Sequence, residues 1–200
     1  MDDKTTRSTN PDVERFDRWS ATYDRSVMQR LFFGPIQSKM LDLLAQAEAV
    51  NTPSCILDVG CGTGRLLRTA SVRWPGITIC GVDPAEGMIV NARRLNPDGV
   101  FHHASAESLP LLDQSVDIIL SSMSFHHWTD QVKGLHEIAR VLRPGGWFCL
   151  ADHTFQLAGL LGEKARSRNQ IRGLIAGAGL TLREQHSAWT RFVLITLAQK

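Results

Sequence analysis

The sequence predicts an α/β fold, built on a seven-stranded, mostly parallel sheet with helices on both faces. Three observations predict it. A short apolar strand, Ile56–Val59, leads through a glycine loop into a helix, and parallel sheets use this arrangement to bring backbone N–H groups against a ligand. A second apolar run, residues 77–82, ends at Asp83. Two final apolar runs, 180–188 and 192–198, are separated by a short turn and predict an antiparallel carboxy-terminal hairpin.

The amino-terminal region is predicted to form helices that precede the first strand. Residues 1–10 are polar and lack periodicity, which is typical of a flexible tail. The segment Asn10–Asp12 is a helix-start signal, with Asn as the N-cap and Pro in the first turn. An apolar segment is expected to end at Gly34–Pro35, and the apolar spacing after it predicts an amphipathic helix over 36–47.

The glycine loop indicates the kind of ligand. Its pattern is G-x-G-x-G at Gly60, Gly62 and Gly64, whereas dinucleotide sites carry G-x-G-x-x-G. Asp58 stands two residues before the first glycine, where a carboxylate would repel a pyrophosphate but suit an ammonium group. Asp83 follows the second strand, which is the expected place for a carboxylate that accepts hydrogen bonds from ribose hydroxyls. Together these features fit a nucleoside that carries an amino acid.

The rest of the chain alternates apolar strands with amphipathic helices. Glycine and proline residues mark the boundaries, and a tight turn at 143–146 is expected to lead into the fifth strand. The expected helices cover residues 65–73, a segment that opens at Pro84, 129–142 and most of 154–178. The expected strands cover residues 56–59, 77–82, 100–103, 116–122, 147–151, 180–188 and 192–198.

The loop after the fourth strand is the best place for catalytic side chains, because ligands of parallel sheets bind beyond the carboxyl ends of the strands. This loop, 121–128, contains two adjacent histidines. His126 is the candidate general base, since histidine titrates near neutral pH. The competing interpretation is that His126 or His127 only lines the pocket or bonds a backbone group.

Length and composition indicate one domain. A chain of 200 residues, 43% of them hydrophobic, can bury a core without disulfide bonds. We expect a flexible tail over 1–12 and a single domain over 13–200, in which residues 13–50 form a helical cap and 51–200 form the core. The net charge of +2 includes no dense basic block, so the composition favours a small-molecule partner over nucleic acid.

Cysteine usage and hydropathy predict a cytoplasmic protein. Cys55, Cys80 and Cys149 fall in predicted strands and Cys61 falls in the glycine loop, with no C-x-x-C spacing. We therefore interpret them as small hydrophobic residues of a protein in a reducing compartment. Neither a secretory signal nor an apolar run long enough to span a membrane is visible.

Four motifs together resemble one family. The segments 58–64 (Asp-Val-Gly-Cys-Gly-Thr-Gly), 82–84, 106–110 and 142–146 are similar to those of class I S-adenosylmethionine-dependent methyltransferases, in particular the branch that includes the ubiquinone and menaquinone methyltransferases. The likeness runs in order over residues 13 to 199. It implies a Rossmann-like fold, S-adenosylmethionine as cofactor, S-adenosylhomocysteine as product, and transfer of a methyl group to a small-molecule acceptor.

The resemblance also implies roles for particular residues. The cofactor-binding positions are Tyr23, Asp58, Gly60, Cys61, Gly62, Asp83, Pro84, Met88, Ser105, Ala106, Glu107 and Ser121. Asp58 and the glycine loop would hold the methionine end, Asp83 the ribose, and Met88 with the Ala106 N–H the adenine. Trp19, Phe125 and His127 would line the substrate pocket, and Glu107 is expected to anchor its loop.

The sequence departs from the family pattern at two places. Ser105 stands where the family usually has an aspartate that accepts from the adenine amino group, so the grip on adenine is expected to be weaker. The loop after the fourth strand lacks the Asn/Asp-Pro-Pro-Tyr element used by members that methylate amides or base amino groups. Metal-dependent members place acids at the ends of the fourth and fifth strands. Here Ser121–Ser122 offers no carboxylate and Asp152 alone is not enough, so no metal is predicted.

Two alternatives remain at the level of sequence. One is a protein that binds the cofactor without turnover and acts as an accessory subunit. The other is an RNA methyltransferase, for which Arg166, Arg168 and Arg172 would supply a basic helical face. The sequence also leaves a homodimer open.

Overall fold

Seven strands form one sheet in the computed structural model, which describes residues 11–20, 27–47, 53–154, 166–188 and 192–200. The strands are β1 (Cys55–Val59), β2 (Thr78–Asp83), β3 (Val100–His103), β4 (Val116–Ser122), β5 (Leu142–His153), β6 (Thr181–Ala188) and β7 (Val193–Gln199). Their order is β3-β2-β1-β4-β5-β7-β6. The first five strands run parallel, and β7 lies antiparallel between β5 and β6. The predicted fold is therefore confirmed.

Helices cover both faces of the sheet. They are α1 (Pro11–Trp19), α2 (Gly34–Gln46), α3 (Arg65–Arg73), α4 (Glu86–Leu95), α5 (Gln131–Val141) and α6 (Arg168–Gly177). Side chains of a strand alternate between the two faces. Ile56 accordingly packs in a core with α2, α3 and α4, while Leu57 packs in a second core with α5 and α6. By the same alternation Asp58 points to the side of Ile56.

The strand order places the ligand site. It reverses between β1 and β4, because the chain runs outward from β1 to β3 and then returns to add β4 on the other side. Loops that leave the carboxyl ends of these two strands diverge and leave a crevice, which is where parallel sheets bind ligands. The glycine loop after β1 and the loop after β4 are therefore neighbours.

The prediction that Gly34–Pro35 ends an apolar segment is wrong. A single π-helical turn, Gln29–Phe33, runs directly into α2. Pro35 lies in the first turn of α2. The π-helical turn ends just before it, so the helix continues past a residue that has no N–H to donate.

The prediction of a tight turn at 143–146 is also wrong, because this segment is a bulge inside β5. Val116 pairs with Leu142 and Ile118 with Trp147, so four residues of β5 stand opposite the single residue Asp117. The Arg143 guanidinium lies 2.6 Å from the Asp117 carboxylate and holds the bulge against β4. The sequence signal was real, but the chain resumes pairing on both sides of it.

Some predictions fall on parts of the chain outside the described residues. They concern the tail over residues 1–10, the segment 155–165 and the turn near residues 189–191. Within the described ranges, no helix combines the length and hydropathy needed to cross a bilayer. All four cysteines are free thiols, as predicted.

Candidate cofactor and active site

A cleft with a volume of about 170 Å³ opens at the carboxyl ends of β1, β2 and β4. It is lined by the loops that follow these strands and by α1. The predicted site residues on its lining are Gly60, Gly62, Asp83, Pro84, Met88, Ser105, Ala106, Glu107 and His127. These residues come from four separate segments of the chain, so the fold brings together most of the predicted site.

Other predicted residues lie behind this lining. Asp58, Cys61, Ser121, Phe125 and His126 are buried and are not among the described residues that line the cleft. Tyr23 and the side chain of Trp19 lie outside the described residues.

The glycine loop is locked against the loop after β4. Gly60 has a φ of 78°, which favours glycine, and a Cβ built on it would lie 2.3 Å from the Cβ of Ser124. The Ser124 hydroxyl donates a hydrogen bond to the Val59 carbonyl and bonds the Ser121 hydroxyl at 2.8 Å. Ser121 therefore positions the two loops from below the cleft.

The carboxylate of Asp83 ties the glycine loop to the start of α4. Its Oδ2 accepts from the Gly62 N–H and its Oδ1 from the Ala85 N–H, both at 2.9 Å. The bond to Ala85 makes a turn, which is why α4 begins at Glu86 and not at Pro84 as predicted. Burial raises the pKa of Asp83 to about 6, although these two N–H groups lower it. Each carboxylate oxygen has a second lone pair that a hydroxyl can use.

Replacing Asp83 with alanine or asparagine is expected to destabilise the protein and weaken ligand binding. Alanine leaves two N–H groups without their acceptor, which costs about 2–4 kcal/mol of unfolding free energy. Asparagine keeps the shape but turns an NH₂ donor towards one of two N–H donors, so it cannot restore both bonds. Denaturant unfolding at a pH below about 4 measures the loss, because there the wild type does not carry the cost of a buried Asp83 charge that grows as the pH rises towards 6. Asp113→Ala, which removes an exposed carboxylate bonded to Arg140, is the matched control and should cost about 1 kcal/mol or less.

Asp58 is a buried carboxyl with an unsatisfied atom. Its side chain is 2% exposed, and its Oδ1 has no hydrogen-bond partner. Burial raises the pKa of Asp58 to about 8, and the nearby Asp83 carboxyl raises it further. A buried carboxyl of this kind is neutral near pH 7 and would ionise if a cation came next to it. The site thus fits a ligand that brings an ammonium group to the glycine loop.

Helix α1 covers one side of the cleft. Val13 and Phe16 line it and pack with Ala85 and Met88. The Asp17 carboxylate accepts a hydrogen bond of 2.8 Å from the Gly87 N–H in the first turn of α4. Asp17 thus serves α4 as an N-terminal cap from 70 residues away, and no local pattern in the sequence could have indicated it.

The histidine pair after β4 is split between the cleft and the interior. His127 lines the cleft and meets the Phe16 ring edge-on at 5.2 Å. His126 is 6% exposed, and its ring packs against that of His127 with centroids 3.9 Å apart and planes inclined at 46°. Both lie in a 3₁₀ turn, Phe125–His127, in which successive side chains point about 120° apart. Adjacent residues of this turn therefore cannot both face the cleft.

A carboxylate at the end of β5 lies beside His126. The Asp152 Oδ1 is 2.6 Å from the His126 Nδ1, and the Asp152 Oδ2 accepts from the His126 backbone N–H. Among the described residues, one potential metal-binding atom from each of His126, Asp152 and His153 lies within 4.8 Å of the other two. These atoms are ring nitrogens of the histidines and a carboxylate oxygen of Asp152. Sequence reasoning considered Asp152 only as an isolated acid and missed its contact with His126.

The adenine side of the predicted site is formed by Met88 and the segment 104–107. Ser105 and Ala106 line the cleft, as the sequence predicts, and the Glu107 Oε1 accepts a hydrogen bond from the Asp130 N–H at 3.0 Å. Glu107 thus joins this segment to the start of α5, an anchoring contact of the kind that the sequence predicts. Ser122, Met123 and Trp128 also line the cleft; they belong to the predicted loop 121–128 but were given no individual role.

Fold and site together define the class of protein. The glycine loop follows β1, and a carboxylate after β2 reaches this loop. The cleft lies where the strand order reverses, and β7 is inserted antiparallel into the sheet. These are the features of a Rossmann-like domain that binds a nucleoside with an amino-acid tail. Comparison with known proteins agrees. Residues 57–150 match the profile of the family described as "Methyltransferase domain".

Individual relatives lead to the same family. The chain is 36% identical over 101 residues to the demethylmenaquinone methyltransferase of Chlorobaculum parvum, which covers 50% of this chain and 41% of that protein. It is 30% identical over 158 residues to the 27-O-demethylrifamycin SV methyltransferase of Amycolatopsis mediterranei, covering 74% and 57%. The chain therefore spans about half the length of these curated relatives.

A solved structure is similar over nearly the whole chain. It is a chain from the complex of a Haloferax volcanii methyltransferase with the Trm112 methyltransferase activator, with a TM-score of 0.76, 27% identity and coverage of 92% of this chain and 96% of that chain. The fold, the site and these comparisons together support a class I S-adenosylmethionine-dependent methyltransferase.

Proposed function

We propose that this protein transfers a methyl group from S-adenosylmethionine to a small-molecule acceptor by in-line displacement. The observation that carries the proposal is the pair of buried carboxyls that flank the glycine loop, one of which, Asp58, has an unsatisfied oxygen. The ligand fits this pair because it has an ammonium group at one end and ribose hydroxyls at the other. When bound, the cofactor supplies a methyl group on a positively charged sulfur.

The residues of the cleft divide the binding task. Asp58 pairs with the ammonium group and the glycine loop holds the methionine end. Asp83 accepts from the ribose hydroxyls, while Met88 and Ala106 contact the adenine. Helix α1 closes the cleft with Val13 and Phe16 and excludes water from it. Holding the two reactants in line is the main task, since no covalent intermediate with the protein is required.

A base is needed if the acceptor is a hydroxyl or a protonated nitrogen. The histidine pair supplies it in this proposal: His127 lies on the cleft lining, so its ring nitrogen takes the proton, with His126 directly behind it. The sequence-based choice was His126. The 3₁₀ turn supports the neighbouring residue as the group that meets the acceptor.

The acceptor is proposed to be a hydrophobic or ring-bearing small molecule. Aside from the two ends assigned to the cofactor, the described lining includes Val13, Phe16, Met123 and Trp128, which are apolar or aromatic. The acceptors named for the two curated relatives, demethylmenaquinone and 27-O-demethylrifamycin SV, are also small molecules.

Calorimetric titration with S-adenosylmethionine, followed by a methyl-release assay, tests the proposal. The acceptor panel contains phenols, hydroquinones, long-chain alcohols and amines, and each reaction is repeated with a Trm112-type activator because the similar Haloferax chain was solved with one. Binding and methylated product are expected. Binding without product on any acceptor supports an accessory protein, and the absence of binding overturns the proposal.

The RNA alternative has less support from the structure. Arg168, one of the three arginines behind it, bonds the Gln185 carbonyl and the Ser187 hydroxyl of β6. This guanidinium is therefore engaged in holding α6 to the sheet. Retention on an RNA column at low salt would revive the alternative.

Ser105→Asp is expected to raise the affinity for S-adenosylmethionine. The longer, charged side chain can accept from the adenine amino group, and a hydrogen bond to a charged group is worth about 1.5–3 kcal/mol, or about tenfold or more in Kd. Calorimetry measures the change. Ser108→Asp, which adds the same charge at an exposed position three residues away, is the control and should leave Kd unchanged. Equal effects of the two variants would contradict the adenine assignment.

A further inference from the structure

Asp152 lies at the carboxyl end of β5 and is 4% exposed. Its carboxylate receives three contacts from the same small region. The Oδ1 is 2.6 Å from the His126 Nδ1 and accepts from the His153 backbone N–H at 2.7 Å, while the Oδ2 accepts from the His126 backbone N–H at 2.8 Å. One buried carboxylate thus holds both the main chain and the ring of His126.

The contact with the ring determines which nitrogen carries the proton. An ionised carboxylate can only accept hydrogen bonds, so the His126 Nδ1 must be the donor across the distance of 2.6 Å. In the neutral ring the Nε2 is then the basic nitrogen. The ring plane is fixed at the same time, because the backbone N–H of the same residue bonds the other carboxylate oxygen.

The fixed ring of His126 in turn supports the histidine of the cleft. Its centroid lies 3.9 Å from that of His127 and 4.5 Å from that of His153. Phe16 of α1 meets the His127 ring from the cleft side. His127 is therefore held between an aromatic ring of the helix over the cleft and a ring that Asp152 keeps in place.

The distance between the His126 Nδ1 and the Asp152 Oδ1 is that of a hydrogen bond and not of two ligands on one cation. Two ligand atoms at the usual distance from a tetrahedral zinc ion would be about 3.3 Å apart. The His126 Nδ1 and the Asp152 Oδ1 are closer than that, and both carboxylate oxygens already accept backbone N–H groups.

We propose that Asp152 is a positioning residue for the base of the cleft: it keeps His126 protonated at Nδ1 and, through the His126 ring that packs against His127, orients His127 towards the acceptor. This inference rests on the proposed function. The proton lost by the acceptor goes to a ring nitrogen of His127 and then to solvent, so the pair assists the reaction without forming a bond to either reactant.

Imidazole nitrogen spectra test the first half of the inference without any acceptor. In the ¹⁵N-labelled protein, with ring signals assigned through His126→Gln, we expect the His126 ring to carry its proton on Nδ1 near neutral pH. Asp152→Asn should change that ring's tautomer pattern, because its NH₂ group cannot accept from Nδ1 and its single oxygen cannot serve three donors. An Nε2-protonated ring in the wild type, or identical spectra in the variant, overturns the inference.

Kinetics test the second half, with the acceptor that gives product in the panel or, failing that, 1,4-naphthohydroquinone. Asp152→Asn is expected to lower kcat by about 100-fold, the usual contribution of a positioned base, while the Kd for S-adenosylmethionine stays within about threefold. The pH profile of kcat should lose its acidic limb, the fall in rate as the base becomes protonated, and Asp152→Glu should restore part of the rate. A loss of kcat and cofactor affinity in parallel would mean a structural role only.

Two controls separate the outcomes. The first is Asp117→Asn, at the opposite end of β4. The Asp117 carboxylate also accepts several hydrogen bonds, including those from Ser54 and Arg143, and its replacement should leave kcat within about twofold. If chelation abolishes the rate and Zn²⁺ or Mg²⁺ restores it, the cluster is a cation site and the inference is overturned. If the wild type methylates nothing, the proposed function fails, whereas the nitrogen spectra still decide whether Asp152 holds His126.

Discussion

Asp58→Asn is expected to make the ligand-free protein more stable and, at the same time, to weaken its binding of S-adenosylmethionine. The folded protein raises the pKa of Asp58 from 3.8 to about 8, chiefly by burial. The folded state therefore binds this proton more tightly than the unfolded state, and the wild type loses unfolding free energy as the pH rises between these two values. Asparagine stays neutral, so the stability advantage of the variant grows over the same range, to at most about 6 kcal/mol.

Thermal unfolding of both proteins at several pH values measures this difference. The advantage should be near zero at pH values below the unfolded pKa and greatest above the folded pKa. A constant difference at every pH would contradict the assignment of a raised pKa to Asp58.

The same substitution should weaken the binding of S-adenosylmethionine by about 100-fold, because the ammonium group loses a charged partner. Calorimetry near neutral pH, repeated in buffers with different ionisation enthalpies, should detect release of close to one proton when the wild type binds the ligand. Asp58→Asn should release none. Equal proton release by both proteins would show that another group pairs with the ammonium.

Gly60→Ala is expected to destabilise the protein strongly and to remove the cofactor site. An alanine here must adopt a φ near 78° and place its Cβ 2.3 Å from the Cβ of Ser124. The left-handed backbone alone costs about 1–2 kcal/mol. Since the two loops are hydrogen-bonded to each other, the steric overlap adds about as much again or more.

Gly76→Ala is the matched control for this prediction. Gly76 has a φ of 85°, but a Cβ on it meets nothing within 4 Å. It therefore reports the backbone cost alone, and the difference between the two variants in denaturant unfolding is the cost of the contact with Ser124. Adding Ser124→Gly to Gly60→Ala should recover part of the stability. If the two single variants are equally stable, the loops do not press on each other as described.

Local sequence signals predicted most of the fold and part of the site. The boundaries of α3, β3 and β4 follow directly from apolar runs between glycine, proline and polar residues. Asp83 and the glycine loop could be found because the ligand site of a parallel sheet lies where strands end. These signals span only a few residues, so the amino-acid sequence carries them in readable form.

Contacts over long distances could not be predicted in this way. Asp17 caps a helix 70 residues away and Asp152 bonds a ring 26 residues away, and neither position has a pattern of its own. Which of the two adjacent histidines faces the cleft depends on a 3₁₀ turn of three residues, too short to leave a period in the sequence. Tertiary packing settles such choices, and only coordinates report them.

The position of β7 has a consequence for how the molecule is made. This strand pairs along its whole length with β5 on one side and β6 on the other, yet it follows both of them in the chain. While a nascent chain leaves the ribosome, β6 has no neighbour to join until β7 has emerged and paired with β5. The half of the sheet that carries the cleft can therefore assemble during synthesis, whereas the other edge must wait for β7.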